Sequence, residues 1–534
     1  MYGFVIDNRR CIGCHACTLA CKAEHNTPVG VNRTWVKYVE KGLHPHTRRV
    51  FTVNRCNHCG DAPCVTICPV RSLFVRDNGI VDFDNQRCIG CKACMQACPY
   101  DALHIDPATR TSSKCNYCAH RVDEGLEPAC VIVCPVQAIV SGDLADAASP
   151  IAQLVARQAV AVRKPEKGTR PHLYYIEGDA AALGPTDAPP RLSYTQAEQS
   201  SGVGHFAAHA AEPVLDGGPA LREKVLGPDA PREGQGGDAA GDGAARRVYD
   251  APARGVLWDW EVVGYLWTKS IAAGLIGLPL LLELLGAISL SPRLAVALAV
   301  LSLVFLGLTG ALLVKDLDRP ERFLYVLLRP QWRSWLTRGA YIITAFGAAT
   351  TLWLGLLLAG FGHDGALPWL HGLLVLLAAL TAIYTAFLFA QAKGRDAWQS
   401  PLLPLHMLLR SVLTGGSAML LLGLLLQQHD LSRVTRVLVA VLLANGLLLA
   451  AEFTQAHVTR DTARALHLMT RGPLRLPFWT SVALGSVLPM LLLAGGQDQF
   501  RAGLWIIPAA VLVLTLSLVT EHVWVRAPQL IPLR

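Results

Sequence analysis

Two features are scarce over long stretches of this 534-residue chain. Only 16% of its residues are charged, against about 25% in a typical soluble protein, and the mean hydropathy is +0.34. All 16 cysteines lie between Cys11 and Cys134, so the last 400 residues contain none. This distribution excludes a single soluble globule and indicates that the second half of the chain lies in a membrane.

The amino-terminal segment lacks the apolar core of an export signal, since it reads MYGFVIDNRRCIGC. We therefore expect the cysteines to lie in a reducing cytosol, where metal ligation is favoured over disulfides. The net charge of +8 does not indicate nucleic acid. Basic residues of the second half cluster in short loops between apolar runs, where membrane topology explains them better.

Eight apolar runs are each long enough to cross a hydrocarbon core of about 30 Å. They span residues 262–288, 294–314, 339–361, 368–391, 405–427, 434–456, 477–495 and 503–524. An even number of crossings puts both chain ends on one side, where loops and tail carry fourteen Lys and Arg residues against four on the other side. The positive-inside rule predicts an inner-membrane protein with its cysteine region in the cytoplasm. Arginines that dock the cysteine region would imitate this bias.

The cysteines form four sets of four. They are Cys11, Cys14, Cys17 and Cys21; Cys56, Cys59, Cys64 and Cys68; Cys88, Cys91, Cys94 and Cys98; and Cys115, Cys118, Cys130 and Cys134. The first and third sets have the C-x2-C-x2-C-x3-C run of bacterial ferredoxins, in which the fourth cysteine ligates the other cluster of a pair. The second set lengthens one gap to four residues, and the fourth set lengthens it to eleven.

The connections predict which sets pair. The segment SLFVRDNGIVDFDNQR between the second and third sets has the Asp-Asn-Gly signal of a hairpin, as between the two motifs of a two-cluster ferredoxin. The second and third sets should share one unit, and the first and fourth should pair around it. Four [4Fe–4S] ligand groups follow: group A (Cys11, Cys14, Cys17, Cys134), group B (Cys115, Cys118, Cys130, Cys21), group C (Cys56, Cys59, Cys64, Cys98) and group D (Cys88, Cys91, Cys94, Cys68).

Four zinc sites, each held by four thiolates, are the alternative. Zinc does not need three closely spaced thiolates followed by Cys-Pro, the pattern of three of the four sets. With the segments SGDLADAASPIAQLVARQ and PHLYYIEG, the four motifs resemble the iron–sulfur subunit of molybdenum oxidoreductases of the DMSO reductase type. The resemblance covers residues 1 to about 180. It implies electron relay between a separate catalytic subunit, carrying a bis-pterin guanine dinucleotide, and a membrane partner.

The membrane half resembles the polysulfide reductase and DMSO reductase membrane anchors, through YLWTKSIAAG and the loop KDLDRPERFLYVLLRPQWRSWLTRGAY. That family exchanges electrons with quinone, menaquinone or ubiquinone, and is haem-free. Glu261, Tyr265 and Lys269 recur at i, i+4 and i+8 on one helix face, and Tyr384 should lie at the depth of Lys269. These four are the candidate quinone residues, although snorkelling and interfacial roles would also explain them. We expect Glu283 and Arg410 to act at helix ends or in loops.

The predicted fold class is an α+β double ferredoxin-like iron–sulfur domain (1–180), a flexible linker (181–255) and an all-α bundle of eight transmembrane helices (256–534). No catalytic residue is predicted. The chain is expected to relay electrons between a molybdopterin-containing catalytic subunit and the quinone pool. The same relay would serve sulfite or formate oxidation and sulfoxide or polysulfide reduction. A hydrogenase partner subunit and a transporter with redox clusters are the alternatives.

Overall fold

The computed structural model describes residues 1–42, 46–185, 245–252, 254–361, 368–428, 431–454, 459–495 and 502–534. An α+β iron–sulfur half precedes an all-helical membrane half, which confirms the predicted fold class. Eleven short strands lie in the described residues: β1 (Tyr2–Asp7), β2 (Thr34–Lys41), β3 (Arg48–Arg55), β4 (Leu73–Val75), β5 (Val81–Phe83), β6 (Leu103–Asp106), β7 (Thr111–Lys114), β8 (Ile139–Asp143), β9 (Val160–Ala161), β10 (Leu173–Ile176) and β11 (Arg246–Tyr249).

Strand β1 is central to the largest sheet, whose order is β8–β1–β10–β9. It pairs antiparallel with β8 and parallel with β10. Five of the six residues of β1 are buried, as expected for an inner strand with a mainly apolar sequence. The sheet holds the start of the chain beside residues 139–176. It thereby closes the first and fourth cysteine sets around the second and third.

The predicted hairpin between the second and third sets is present as β4 and β5. Gly79 has a φ of +82°, a left-handed conformation that glycine adopts without steric cost. A second hairpin, β6–β7, follows the third set. Among the described residues, this half also has seven short α-helices: Ala16–Glu24, Pro63–Ile67, Ala93–Ala97, Ala119–Val122, Ala129–Ile132, Pro150–Arg157 and Ala180–Leu183.

The predicted linker, residues 181–255, is ordered at both ends. The helix Ala180–Leu183 buries Ala182 and Leu183, and β11 pairs antiparallel with β2. Composition alone does not reveal such a short strand, which pairs with a strand more than 200 residues earlier, and the bounds of the linker stay a prediction. The rest of the predicted linker, residues 186–244, lies outside the described residues.

Eight helices in the described residues are long and apolar enough to cross a membrane, as predicted. They are Trp260–Leu284, Pro292–Lys315, Trp335–Leu358, Pro368–Gln391, Leu403–Leu425, Leu431–Thr454, Arg475–Gly495 and Ala502–Arg526, numbered first to eighth below. A turn of π-helix, Ala483–Val487, interrupts the seventh. Shorter helices, Tyr325–Leu328 and Arg460–Thr470, lie between crossings.

The first membrane helix is the centre of the bundle, because 83% of the residues in its apolar 18-residue stretch are buried. It crosses the fifth helix at Gly274 and Gly415, where the two backbones touch and no side chain would fit. The Ser411 hydroxyl donates to the Ser270 carbonyl beside this crossing, at 2.9 Å. Close backbone approach at small residues is a common way for membrane helices to pack.

Candidate iron–sulfur relay and membrane site

The four cysteines of group A line one cavity, although Cys134 is far from the other three in sequence. Gly13 and His15 have positive φ values of 71° and 61° and bend the backbone around it. The amide of Ala138 donates to the Cys134 sulfur at 3.2 Å. Cys14 is exposed, so group A reaches the protein surface.

Group B lies beside a buried cation. The Arg55 guanidinium donates to the Cys130 sulfur at 3.1 Å, and Cys21 interacts with the other three sulfurs of the group. Burial opposes the charge of Arg55, but the thiolates of Cys130 and Cys115 outweigh it and raise its pKa. His25 lies 3.3 Å from the Cys118 sulfur, and His58 lies 3.8 Å from the Cys115 sulfur. Arg55 is thus positioned to stabilise negative charge at group B.

In groups C and D, cysteines from the two sides of the hairpin lie within interaction range of one another. Cys98 interacts with Cys59 and Cys64, its partners in group C. Cys68 interacts with Cys91 and Cys94 of group D. Ser112 contacts two sulfurs of group D: its amide lies 3.4 Å from the Cys88 sulfur, and its hydroxyl lies 3.2 Å from the Cys94 sulfur.

The groups follow one another in the order A, B, C, D. Cys17 of group A interacts electrostatically with Cys130 of group B. Cys56 of group C interacts with Cys115 of group B, and Cys94 of group D interacts with Cys98 of group C. Burial raises the pKa of most of these thiols, and neighbouring sulfurs add to the effect for many of them. A bound cation would relieve this cost.

The donor set fits iron–sulfur clusters better than zinc. A zinc ion at about 2.3 Å from each sulfur would hold the sulfurs within roughly 3.8 Å of one another. Across the described residues, no three His, Cys, Asp or Glu side chains lie close enough to hold a single metal ion. A cubane binds each cysteine at a different iron, so its ligands are more widely spaced. All-cysteine groups with amide, hydroxyl and cationic neighbours match that chemistry.

Group D contacts the membrane half through its backbone. The Trp258 indole donates to the Cys91 carbonyl at 3.2 Å, and Arg322 donates to the Cys88 carbonyl at 3.0 Å. The Arg319 guanidinium donates to the Thr109 carbonyl. At Gly90, an added Cβ would lie 2.7 Å from the Cβ of Asp318.

Further contacts complete this docking. Ser334 and Thr337 donate to the carbonyls of Ile67 and Pro69, and Arg395 donates to Gln96. Lys92 lies 3.3 Å from Asp318 and 3.9 Å from Asp316. Arg319, Arg322 and Arg395 therefore dock the iron–sulfur half.

Three of the four candidate quinone residues meet inside the bundle. The Lys269 amine donates to the Thr385 hydroxyl at 2.7 Å and to the Ala382 carbonyl at 3.1 Å. It also lies 4.7 Å from the centre of the Tyr384 ring. Tyr265, on the same helix as Lys269, is buried within interaction range of Thr385 and Tyr384.

Glu261 lies apart from this cluster and is half-buried in the first turn of the first membrane helix. It faces Asp316, just beyond the second membrane helix. Burial raises the pKa of Asp316 to about 7 against the opposing charge of Lys92, and the nearby carboxylate of Glu261 adds to the increase. The Tyr384 ring packs directly against Gly339, where the Cβ of any other residue would overlap the ring.

The expectation for Arg410 was wrong, whereas Glu283 does lie at a helix end, where it accepts from the Leu290 amide. Arg410 is buried inside the bundle, 3.1 Å from the buried carboxylate of Glu521 on the eighth helix. The pair was missed because its partners are 111 residues apart in sequence. A charge within each apolar run was the available signal.

Three histidines of the membrane half lie beside charged residues. His406 lies 3.0 Å from the Glu452 carboxylate and His371 lies 3.6 Å from Glu283. His522 is half-buried near Arg526 and Asp259. His457 lies outside the described residues.

Sixteen cysteines in four neighbouring groups, joined to eight apolar helices, define a membrane-bound iron–sulfur electron-transfer protein. The polysulphide reductase NrfD family matches residues 251–532, and 4Fe-4S dicluster domains match residues 10–73 and 47–144. The chain belongs to the polysulphide reductase NrfD family, with a 4Fe-4S dicluster region fused in front of the membrane domain.

Several reductase subunits are similar to the first third of the chain. A tetrathionate reductase subunit of Salmonella typhimurium is 46% identical over 188 residues, covering 34% of this chain and 75% of that protein. A polysulfide reductase subunit of Wolinella succinogenes is 39% identical over 180 residues, covering 33% and 93%. The arsenate respiratory reductase iron-sulfur subunit of Shewanella sp. is 35% identical over 222 residues, covering 33% and 95%. The predicted fusion of an iron–sulfur subunit with an anchor is therefore confirmed.

Proposed function

We propose that this protein is the electron-transfer and membrane-anchor subunit of a quinone-linked molybdenum oxidoreductase. Four [4Fe–4S] clusters, held by groups A to D, would carry electrons between a separate catalytic subunit and quinone in the membrane half. The observation that carries this proposal is the linear order of the groups, with an exposed cysteine at group A and backbone contacts to the membrane half at group D. The similar tetrathionate, polysulfide and arsenate reductase subunits support a partner acting on a sulfur or arsenic compound.

The catalytic subunit is proposed to dock at group A. Four apolar side chains near its cysteines are exposed: Ile12, Leu19, Ile132 and Val133. Exposed apolar residues grouped around one feature commonly mark a protein interaction site. A partner covering them would also exclude water from Cys14 and bring its own redox centre close to the first cluster.

The quinone is proposed to bind near Lys269, Tyr265 and Tyr384, with Glu261 at the membrane surface. Charged residues inside a membrane usually have a function, and a lysine and two tyrosines are suitable hydrogen-bond donors to quinone carbonyls. When bound, the quinone supplies two-electron chemistry coupled to proton exchange. The chain's own contribution is to orient the ring with these donors while the surrounding apolar residues exclude water.

Anoxic purification in mild detergent tests the assignment. We expect about sixteen iron atoms per chain beyond those of the partner, from four irons in each cluster, and a co-purifying large subunit that contains molybdenum or tungsten. Nickel in the partner would instead make the complex a hydrogenase. Clusters that are full but are neither reduced by quinol nor oxidised by quinone would refute the quinone link and favour the transporter alternative.

Lys269→Met tests the quinone site. Loss of a charged hydrogen bond worth about 1.5–3 kcal/mol predicts a roughly 10- to 150-fold slower reduction of the clusters by quinol. Arg436→Gln, at an exposed position near the start of the sixth helix, is the matched control and should leave the rate unchanged. A Lys269→Met protein with full clusters and the rate of the unsubstituted protein would remove Lys269 from the site.

The iron–sulfur half is proposed to lie on the cytoplasmic side. Arg319, Arg322 and Arg395 dock that half, and Arg534 binds Asp101. Without these four, ten basic residues remain on the cluster side against four on the other side. Protease added to sealed right-side-out cells should spare residues 1–250, and cleavage there would place this half outside the cytoplasm.

A further inference from the structure

Three buried aromatic rings are stacked between group D and the candidate quinone residues. The Phe389 and Trp398 ring centres lie 4.7 Å apart with planes inclined by 14°. Trp258 lies 5.8 Å from Phe389 and 5.5 Å from Trp398, at similarly small inclinations of 28° and 23°. Each ring therefore stacks nearly parallel on the other two, and each side chain is at least 95% buried.

The stack is hydrogen-bonded to the backbone of a proposed cluster ligand. The Trp258 indole nitrogen donates to the carbonyl oxygen of Cys91, the second cysteine of group D, at 3.2 Å. The backbone of Trp258 is itself fixed, since its amide donates to the Gln529 side chain at 3.0 Å and its carbonyl accepts from that side chain at 2.7 Å. The indole of Trp398 donates to the Trp524 carbonyl at 3.0 Å. Hydrogen bonds thus fix both tryptophans.

The other end of the stack leads to the polar cluster. Phe389 is one helical turn from Thr385 on the fourth membrane helix, and Thr385 accepts from the Lys269 amine at 2.7 Å. Trp258 lies two residues before the first helix and seven residues before Tyr265 in the sequence. A continuous path of bonds, hydrogen bonds and ring contacts therefore runs from Cys91 through Trp258 and Phe389 to the candidate quinone residues.

We propose that the Trp258–Phe389–Trp398 stack provides the electronic coupling between the group D cluster and the quinone. This inference rests on the proposed function, and it concerns how the two redox centres are connected. A quinol gives up two electrons and two protons and becomes quinone. Each electron reduces one [4Fe–4S]²⁺ cluster to [4Fe–4S]⁺, and both protons pass to water. The rings are neither oxidised nor reduced, because they act only as the medium between donor and acceptor.

The main competing role for the stack is packing, which would hold the two halves together without affecting electron transfer directly. Trp258→Leu and Phe389→Leu remove one ring each and leave an apolar side chain. Trp258→Phe keeps a ring and removes the hydrogen bond to Cys91. Trp353→Leu is the matched control, because Trp353 is equally buried in the membrane half but lies beside His371.

Three measurements on the full-length purified protein separate the roles. Electron paramagnetic resonance gives cluster content in the dithionite-reduced protein and midpoint potentials in a potentiometric titration. Fluorescence quenching of 2-heptyl-4-hydroxyquinoline N-oxide, a quinone analogue, gives the affinity of the quinone site. Stopped-flow mixing with decylubiquinol or menadiol gives the rate of cluster reduction.

We expect Trp258→Leu and Phe389→Leu to slow cluster reduction by about tenfold or more, equivalent to ~1.4 kcal/mol in activation free energy. Cluster spectra, potentials and analogue affinity should be unchanged, Trp258→Phe should recover part of the rate, and Trp353→Leu should retain the full rate. An unchanged rate in both leucine variants would overturn the proposal, as would a slower rate fully explained by lost analogue binding. If quinols fail to reduce the clusters of the unsubstituted protein, the proposed function itself is wrong.

If Trp258→Leu does not accumulate as folded protein, Phe389→Leu and Trp258→Phe carry the test. Phe389 belongs wholly to the membrane half, and its side chain makes no hydrogen bond that the substitution would remove. A normal rate in Phe389→Leu with intact clusters would then overturn the proposal.

Discussion

Replacing Arg55 by glutamine should lower the midpoint potential of the cluster held by group B. The guanidinium is fully buried and donates to the Cys130 sulfur at 3.1 Å, and it interacts with Cys115 and Cys17 as well. A reduced cluster carries one more negative charge than an oxidised one. The cation therefore stabilises the reduced state more strongly, and its removal makes reduction harder.

The magnitude follows from the strength of this contact. A hydrogen bond from a charged group contributes about 1.5–3 kcal/mol, and a one-electron couple changes by 59 mV for each ~1.4 kcal/mol. If this interaction is made mainly in the reduced state, Arg55→Gln should lower the potential by about 65–130 mV. Arg55→Lys keeps the charge and should recover most of the decrease.

Potentiometric titration followed by electron paramagnetic resonance measures the effect. The group B signal should change most and the group A signal less, because Arg55 also interacts with Cys17, while the signals of groups C and D remain in place. Arg170→Gln is the control, because Arg170 is exposed and pairs with Asp61 at the surface. Potentials that are the same in Arg55→Gln and in the control would refute the argument that this buried cation tunes group B.

Two other substitutions test the packing of the membrane half and its junction with the iron–sulfur half. Gly274→Ala should reduce the yield of detergent-stable protein, because the new Cβ would overlap the Ser411 carbonyl oxygen and overpacking typically costs about 1–3 kcal/mol. Gly307→Ala is the control and should be harmless, because its Cβ would meet open space. Equal melting temperatures of the two variants would contradict the close crossing. Asp316 has a pKa of about 7, raised chiefly by burial, so its folded form binds the proton more tightly and wild-type stability should fall from about pH 4 to pH 7. Asp316→Asn should abolish this decrease in apparent melting temperature, and an identical pH profile for variant and wild type would show that Asp316 does not titrate in this range.

The sequence is most informative where chemistry imposes a local pattern. The cysteine spacings predict the four groups, and the structure brings together the cysteines of each group, including Cys134 with Cys11. The hairpin at Gly79 was predictable because a left-handed turn has a recognisable composition. The eight crossings were predictable because a bilayer requires about 20 apolar residues per helix.

Features that depend on tertiary proximity were not predicted. Arg55 lies in a strand outside any cysteine motif, and only the folded chain brings it to Cys130. Arg410 meets Glu521 across two helices. Strand β11 arises from four residues of an otherwise Ala- and Gly-rich segment because β2 offers an open edge. Each case needs a partner that sequence periodicity cannot identify.

Strand β11 has a consequence for how the two halves stay associated. Because β11 is paired with β2, only the ten residues between Tyr249 and Trp260 connect the iron–sulfur sheet to the first membrane helix. Docking is therefore intramolecular, with an effective local concentration on the order of millimolar for so short a connection. The interface needs little affinity of its own, so polar contacts such as that of Arg322 with the Cys88 carbonyl can be used to set orientation. Substitutions there should misalign electron transfer without releasing the iron–sulfur half from the membrane.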